Sequence, residues 1–213
     1  MLVYTLYQNT YRDVSYIEGP IKEKVYINVT NKCPCSCTFC LRQTKELLEG
    51  NTLWLKEDPT SEDIINELKK YDFGFTPEIT FCGFGEPLEN VDVVCNVAHY
   101  LKKAYPTLPL RINTNGLGNQ IHGINILPKL KGCIDTISIS LNASNKEEYY
   151  RLTRSRFGID SFDYMLDFAK KAKEYIPNVV VTVVDIIGED EIGKCQQIAD
   201  SIGVTLRVRA FEK

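Results

Sequence analysis

Short apolar, β-branched runs alternate along this chain with longer segments whose apolar residues recur at helical spacing. Lys24–Thr30 (K-V-Y-I-N-V-T), Glu78–Gly83, Leu110–Asn115, Thr136–Asn142, Val179–Ile187 and Thr205–Phe211 read as six strands. Between them, Thr60–Tyr71 predicts a helix with Ile64, Ile65 and Leu68 on one face and Thr60 and Asp63 at N-cap and N3 spacing. Val91–Tyr105 predicts a second helix, and a short irregular one follows near Ile126–Lys131. Lys146–Leu152 has Ser144 and Glu147 as its capping box, and Ser161–Tyr175 follows it. Glu189–Ile202 turns Ile192, Cys195, Ala199 and Ile202 to the core. Six strands alternating with helices predict an α/β protein whose parallel sheet has right-handed crossovers.

A doubly wound sheet and an incomplete barrel both fit that order. The polar motifs favour the barrel. The cysteine-rich loop, Gly83–Pro87, Asn113–Gly116, Ser140–Ala143 and Asp185–Gly188 all fall at strand C-termini, where barrels keep their active sites. The expected architecture is a partial (β/α)₆ barrel over residues 24–213, in a single domain. Residues 1–23 form an extension, with V-Y-T-L-Y and V-S-Y-I-E as a short N-terminal hairpin outside the barrel.

The most informative chemistry lies in Asn31–Cys40, where Cys33, Cys37 and Cys40 form C-x₃-C-x₂-C with Phe39 before the last cysteine. Three thiolates on one short loop can hold three irons of a [4Fe–4S] cube and leave the fourth without a protein ligand. That iron can bind the amino and carboxylate groups of S-adenosylmethionine (SAM). Taken alone, Cys37–Cys40 is also half of a zinc knuckle. A structural zinc site needs a second pair, and Cys82, Cys95, Cys133 and Cys195 are scattered singly, as are His99 and His122. The four scattered cysteines read as small buried hydrophobes and the histidines as structural or surface residues. Cys35, inside the motif, is a spare thiol or a substitute ligand.

Composition narrows the class. The chain has 213 residues, 44% hydrophobic and 25% charged, with net charge −3, so no basic field suggests nucleic acid or a membrane surface. Eight cysteines without a secretory signal pattern point to a reducing, cytoplasmic setting.

Each remaining motif has a plain alternative. Gly83-Phe84-Gly85-Glu86-Pro87 is a glycine turn with a surface carboxylate, or a backbone surface that an ammonium approaches closely. Asn113-Thr114-Asn115-Gly116 is an Asn-Gly turn, or a pair of amides suited to ribose hydroxyls or a carboxylate. Ser138 and Ser140 are small residues on a barrel face, Ser140 nearer the site. Arg151, Arg154 and Arg156 form a solvated run from which Arg154 could grip a carboxylate. Arg207, Arg209 and Phe211 either point into the barrel or guard an open edge.

Together, C-x₃-C-x-aromatic-C, G-F-G-E-P, N-T-N-G and S-L-N-A resemble the radical SAM superfamily. The resemblance covers the chain from about residue 24 onward and implies that family's partial barrel. Phe84 departs from the usual G-G-E-P, and Asn142 stands where S-L-D-A has its aspartate. The implied cofactors are a [4Fe–4S] cluster on Cys33, Cys37 and Cys40, and SAM held by Phe39, Gly83, Phe84, Gly85, Glu86, Asn113, Asn115, Ser140 and Arg154. The implied activity is reductive cleavage of SAM to a 5′-deoxyadenosyl radical that abstracts hydrogen from an unidentified substrate, a small molecule or a protein. A flavodoxin- or ferredoxin-type donor would supply the electron. N-V-T-N-K-C, C-T-F-C-L-R and the late L-R-V-R resemble short radical SAM proteins associated with TatD-type nucleases. The alternatives are a small glycyl-radical-activating enzyme, a carboxy-deazaguanine-synthase-like enzyme, or a non-catalytic Fe–S or zinc protein that relays electrons.

Overall fold

The computed structural model describes residues 1–8, 10–44 and 52–211. Eight strands form one sheet: β1 (Val3–Tyr7), β2 (Thr10–Asp13), β3 (Val25–Ile27), β4 (Ile79–Phe81), β5 (Leu110–Thr114), β6 (Thr136–Ser140), β7 (Asn178–Val184) and β8 (Thr205–Arg209). Its order is β2-β1-β3-β4-β5-β6-β7-β8, with β3 to β8 parallel and the first two antiparallel. The helices are α1 (Leu41–Thr44), α2 (Ser61–Leu68), α3 (Val91–Ala104), α4 (Gly118–His122), α5 (Leu127–Leu130), α6 (Lys146–Thr153), α7 (Ser161–Ala172) and α8 (Glu189–Ile202). Every strand and helix expected from residue 24 onward is present, with ends shifted by a few residues. Helices α1 and α4 were not expected.

Alternation along the strands divides the two faces of the sheet. Val25, Ile27, Leu110, Ile112, Ile137, Ile139, Val181 and Val183 are buried with the apolar faces of α3 (Val94, Val97, Leu101) and α7 (Met165, Phe168, Ala172) in the main core. The intervening positions, Thr80, Arg111, Asn113, Ser138, Ser140 and Thr182, line the opposite, polar face. The parallel registers put Thr80 beside Arg111, Asn113 beside Ser138 and Ser140 beside Thr182.

Two expectations are corrected at the N-terminus. The hairpin's second strand is Thr10–Asp13, and Val14–Tyr16 forms a short 3₁₀ turn capped by the Asp13 carboxylate, which accepts from Ser15 N. The hairpin also does not lie apart from the barrel, because β1 pairs with β3 and lengthens its sheet. Its inward residues Tyr4 and Tyr11 meet edge to face at 5.6 Å and join Leu53 and Phe84 in a second, smaller core. The Thr60–Asp63 capping box forms as expected. The cap of α6 is one residue later than expected: Asn145 accepts from Glu148 N, while Ser144 N donates to Glu191 at the start of α8.

Candidate active site

The loop from Asn28 to Cys40 leaves β3 and is held at its base before it reaches the cysteines. Thr30 Oγ1 donates to Asp58 at 2.7 Å, and Lys32 forms an ion pair with the same carboxylate. Asn31 and Leu55 exchange two hydrogen bonds, Nδ2 to carbonyl at 2.7 Å and amide to Oδ1 at 3.0 Å. The far side of the loop rests on α6. Ser36 N and Thr38 N donate to the carbonyls of Thr153 and Leu152, both at 2.9 Å, and Arg156 N donates to Pro34 O at 2.8 Å. Carbonyls in the last turn of a helix have no intrahelical partner. Here the cysteine loop supplies those partners, so loop and helix end fix one another.

All eight cysteines are free thiols. Cys35 is buried beside two of the motif cysteines, Cys33 and Cys37. Its S–H lowers the Cys33 thiol, and the same contacts push Cys35 itself up. Burial raises Cys40. Asn115 Nδ2 lies 3.9 Å from Cys33 Sγ and 3.8 Å from Cys35 Sγ. Among the described residues, no three His, Cys, Asp or Glu side chains converge on a point that one metal ion could share. A cube asks for something else, since its three ligands bind three different irons and stand farther apart than ligands of one ion.

The loop after β4 is packed against the cysteine loop. A Cβ on Gly85 would sit 2.2 Å from the Thr30 carbonyl oxygen, and one on Gly83 would sit 2.2 Å from Asn28 Oδ1. At Gly85 the neighbours are backbone atoms, and only glycine permits the approach. Glu86 N donates to Lys32 O at 2.8 Å and joins the two loops. Phe84, the departure from G-G-E-P, is accounted for by the second core: its ring is buried there and meets Trp54 edge to face at 5.1 Å. Its carbonyl accepts from Arg42, whose guanidinium lies 4.8 Å from the Trp54 ring centroid.

Glu86 is 4% exposed. It accepts from Leu88 N (3.1 Å), Thr114 Oγ1 (2.6 Å) and Asn115 N (2.7 Å), which ties the loop after β4 to the end of β5. Burial pushes its carboxyl up to about 7, although the three donors work in the opposite direction. The carboxylate therefore faces the protein and braces two motif loops.

A cleft of about 620 Å³ opens beside the cysteine loop, between the ends of β6 and β7, the length of α6 and the first turn of α8. Phe39, Leu152, Val184, Ile186 and Ile187 give it apolar walls, and Asn142, Arg151 and Glu191 are among its polar groups. Of the expected SAM contacts, Phe39 is in this lining. Asn113 and Ser140 stand half-buried on the polar face of the sheet, and Gly83, Gly85, Glu86 and Asn115 lie in the braced loops. Arg154 is exposed at the left-handed C-cap of α6, φ 47°, whereas Arg151, paired with Glu148, reaches the cleft. Ile186 and Ile187 lie in the Asp185–Gly188 loop but were not singled out within it, and Glu191 was not anticipated. The signal for the two isoleucines was that Asp185–Gly188 follows a strand like the other motif loops. Arg207 and Arg209 are exposed on the edge strand β8, in register with Thr182 and Val184.

A sheet of parallel strands that gathers a three-cysteine loop, a glycine–glutamate loop and an asparagine loop at its C-terminal edge defines an iron–sulfur nucleotide-binding class. The chain belongs to the Radical SAM superfamily, whose model matches residues 27–196. That family's cofactors are SAM and a [4Fe–4S] cluster. A probable GTP 3′,8-cyclase of Thermococcus kodakarensis is 25% identical over 189 residues, covering 87% of this chain and 56% of that protein. A GTP 3′,8-cyclase of Paenarthrobacter nicotinovorans is 31% identical over 134 residues, covering 62% and 35%. The chain thus spans from about a third to just over half of the length of these relatives. The fold matches Streptococcus suis SuiB bound to precursor peptide SuiA, with TM-score 0.65 at 16% identity over 92% of this chain and 40% of that one. No described helix is long and apolar enough to cross a membrane.

Proposed function

We propose that this protein is a radical SAM enzyme in which a bound, reduced [4Fe–4S] cluster cleaves SAM to a 5′-deoxyadenosyl radical that takes hydrogen from a substrate. One observation carries this reading: the motif loops interlock through Glu86 while the thiols of Cys33, Cys37 and Cys40 stay out of any disulfide. An electron relay needs cysteines, but it does not need a glycine–glutamate loop braced against an asparagine loop beside an apolar-walled cleft.

Cys33, Cys37 and Cys40 would hold three irons. Phe39, Ile186 and Ile187 offer the adenine a flat apolar surface, with Asn142 as a polar partner. Backbone carbonyls of the Gly83–Gly85 turn suit the ammonium of SAM, and Asn113 and Ser140 suit its hydroxyls or carboxylate. Holding SAM in one position against the braced loops would present the substrate first to an intermediate that attacks whatever lies nearest. The partners proposed with it are a flavodoxin- or ferredoxin-type donor, a small-molecule or protein substrate, and, on motif resemblance, a TatD-type nuclease. The reducing setting is the cytoplasm.

The test is anaerobic reconstitution, then dithionite and SAM, with 5′-deoxyadenosine assayed and iron and sulfide counted on the same sample. The expected result is nucleoside from the wild type and none from Cys37→Ala. Zinc in place of iron, or a full cluster that never cleaves SAM, would overturn the reading.

A further inference from the structure

Tyr149 of α6 is 0% exposed, and its hydroxyl has no hydrogen-bond partner. Burying a phenol oxygen without a partner costs about 1–3 kcal/mol, so a buried tyrosine normally finds one. The position is not loose. The ring packs at 60° to Phe162 with centroids 5.6 Å apart, and the Tyr149 carbonyl accepts from Thr153 Oγ1 at 2.8 Å.

Its surroundings point to the missing partner. Tyr149 lies one helical turn before Thr153 and shares its buried face, and the end of that helix meets the cysteine loop, where the Thr153 carbonyl accepts from Ser36. After burial itself, the groups that push the hydroxyl up are Cys35, Cys37, Glu86 and Cys33, in that order. The phenol thus stays protonated and can donate. Both Glu86 oxygens already accept from Leu88, Thr114 and Asn115. The cysteine sulfurs nearby are free thiols in this structure and become charged acceptors once they bind metal.

We propose that Tyr149 donates a hydrogen bond to a sulfur of the iron–sulfur site, a ligand thiolate or a bridging sulfide, and thereby tunes its reduction potential. The inference rests on the radical SAM reading. A donor stabilises the additional negative charge of the reduced state, and more strongly in a dry, low-dielectric site. Tyr149 is then a tuning residue, one that electron transfer senses and that does not itself touch the substrate.

The experiment is an EPR-monitored redox titration of the reconstituted wild type, of Tyr149→Phe, and of protein carrying 3-fluorotyrosine at 149. Fluorine makes the phenol more acidic and a stronger donor with little change of shape. At equal iron and sulfide content, Tyr149→Phe should lower the midpoint by about 59 mV, a tenfold change in the one-electron equilibrium constant. Fluorotyrosine should raise it. Equal midpoints across the series would overturn the assignment, since a residue that only filled space would not order the three this way. If Tyr149→Phe fails to fold, fluorotyrosine against wild type decides alone. Wild-type protein that assembles no cluster would overturn the radical SAM reading, whereas loaded protein with a flat series would overturn only the role of Tyr149.

Discussion

The ends of β3 to β6 and the end of β7 with the start of α8 border one site and are built in opposite ways. On the first side, backbone packs on backbone at Gly85, a buried carboxylate bridges two loops, and the cysteine loop caps α6. On the second side, the walls are side chains around an open cleft, and β8 leaves Thr205, Arg207, Val208 and Arg209 exposed. Geometry that must be reproduced to within a fraction of an ångström is held by buried, mutually dependent contacts. A surface that admits different occupants can be left to side chains. The contrast makes the first side intolerant of single-atom changes and the second permissive.

Gly85→Ala tests the intolerant side most severely. Its methyl would lie 2.2 Å from the Thr30 carbonyl oxygen and 2.7 Å from that of Lys32, both backbone atoms that cannot swing aside. Overpacking of this kind costs about 3 kcal/mol or more. Urea denaturation should show that loss, and iron bound after reconstitution should fall with it. Wild-type stability and iron content in this variant would mean that the two loops are not locked together.

Glu86 offers a pH handle on the same brace. Its carboxyl is raised from 4.5 to about 7 by burial, so the folded protein binds more protons than the unfolded chain between those values. The favourable contribution is complete below about 4.5 and disappears as pH rises through about 7. A shift of this size corresponds to roughly 3 kcal/mol across the window. Unfolding free energies measured from pH 4.5 to 7.5 should carry this decline in the wild type. Glu86→Gln should lack that decline and be less stable at every pH, because its amide turns a donor toward N–H groups that need an acceptor. Identical pH profiles for the two proteins would show that the carboxyl titrates normally and is not sealed in.

How far the sequence foretold this contrast depends on the range of the interactions. Strands, helices and the clustering of motifs at strand C-termini follow from local periodicity and were legible. Gly85 and Glu86 stood out as candidate site residues, but not as braces, because their partners Thr30, Lys32 and Thr114 lie elsewhere in the chain. The cap of α6 was ambiguous because Ser144 and Asn145 are both good caps and Glu147 and Glu148 follow each at the right spacing; Glu191, 47 residues from Ser144, resolves it. Tyr149 carried no signal of its own, being one of two adjacent tyrosines in a helix of balanced charge. Its significance appears only where α6 ends against the cysteine loop.

Gly193→Ala probes the permissive side with the smallest expected effect. Gly193 lies inside α8, at a φ that any residue adopts, with nothing within 4 Å of the position a Cβ would take. Alanine should therefore add helix propensity and restrict the unfolded chain without a clash, stabilising the protein by about 0.5–1 kcal/mol. Thermal unfolding of the two proteins measures this directly. The same methyl group that breaks the β4 loop would then strengthen the helix flanking the cleft, and the sign reversal between two glycines separates a locked wall from an adaptable one. A loss of stability at Gly193, of the size expected at Gly85, would mean that α8 is packed as tightly as the cysteine side and that the proposed division of the site does not exist.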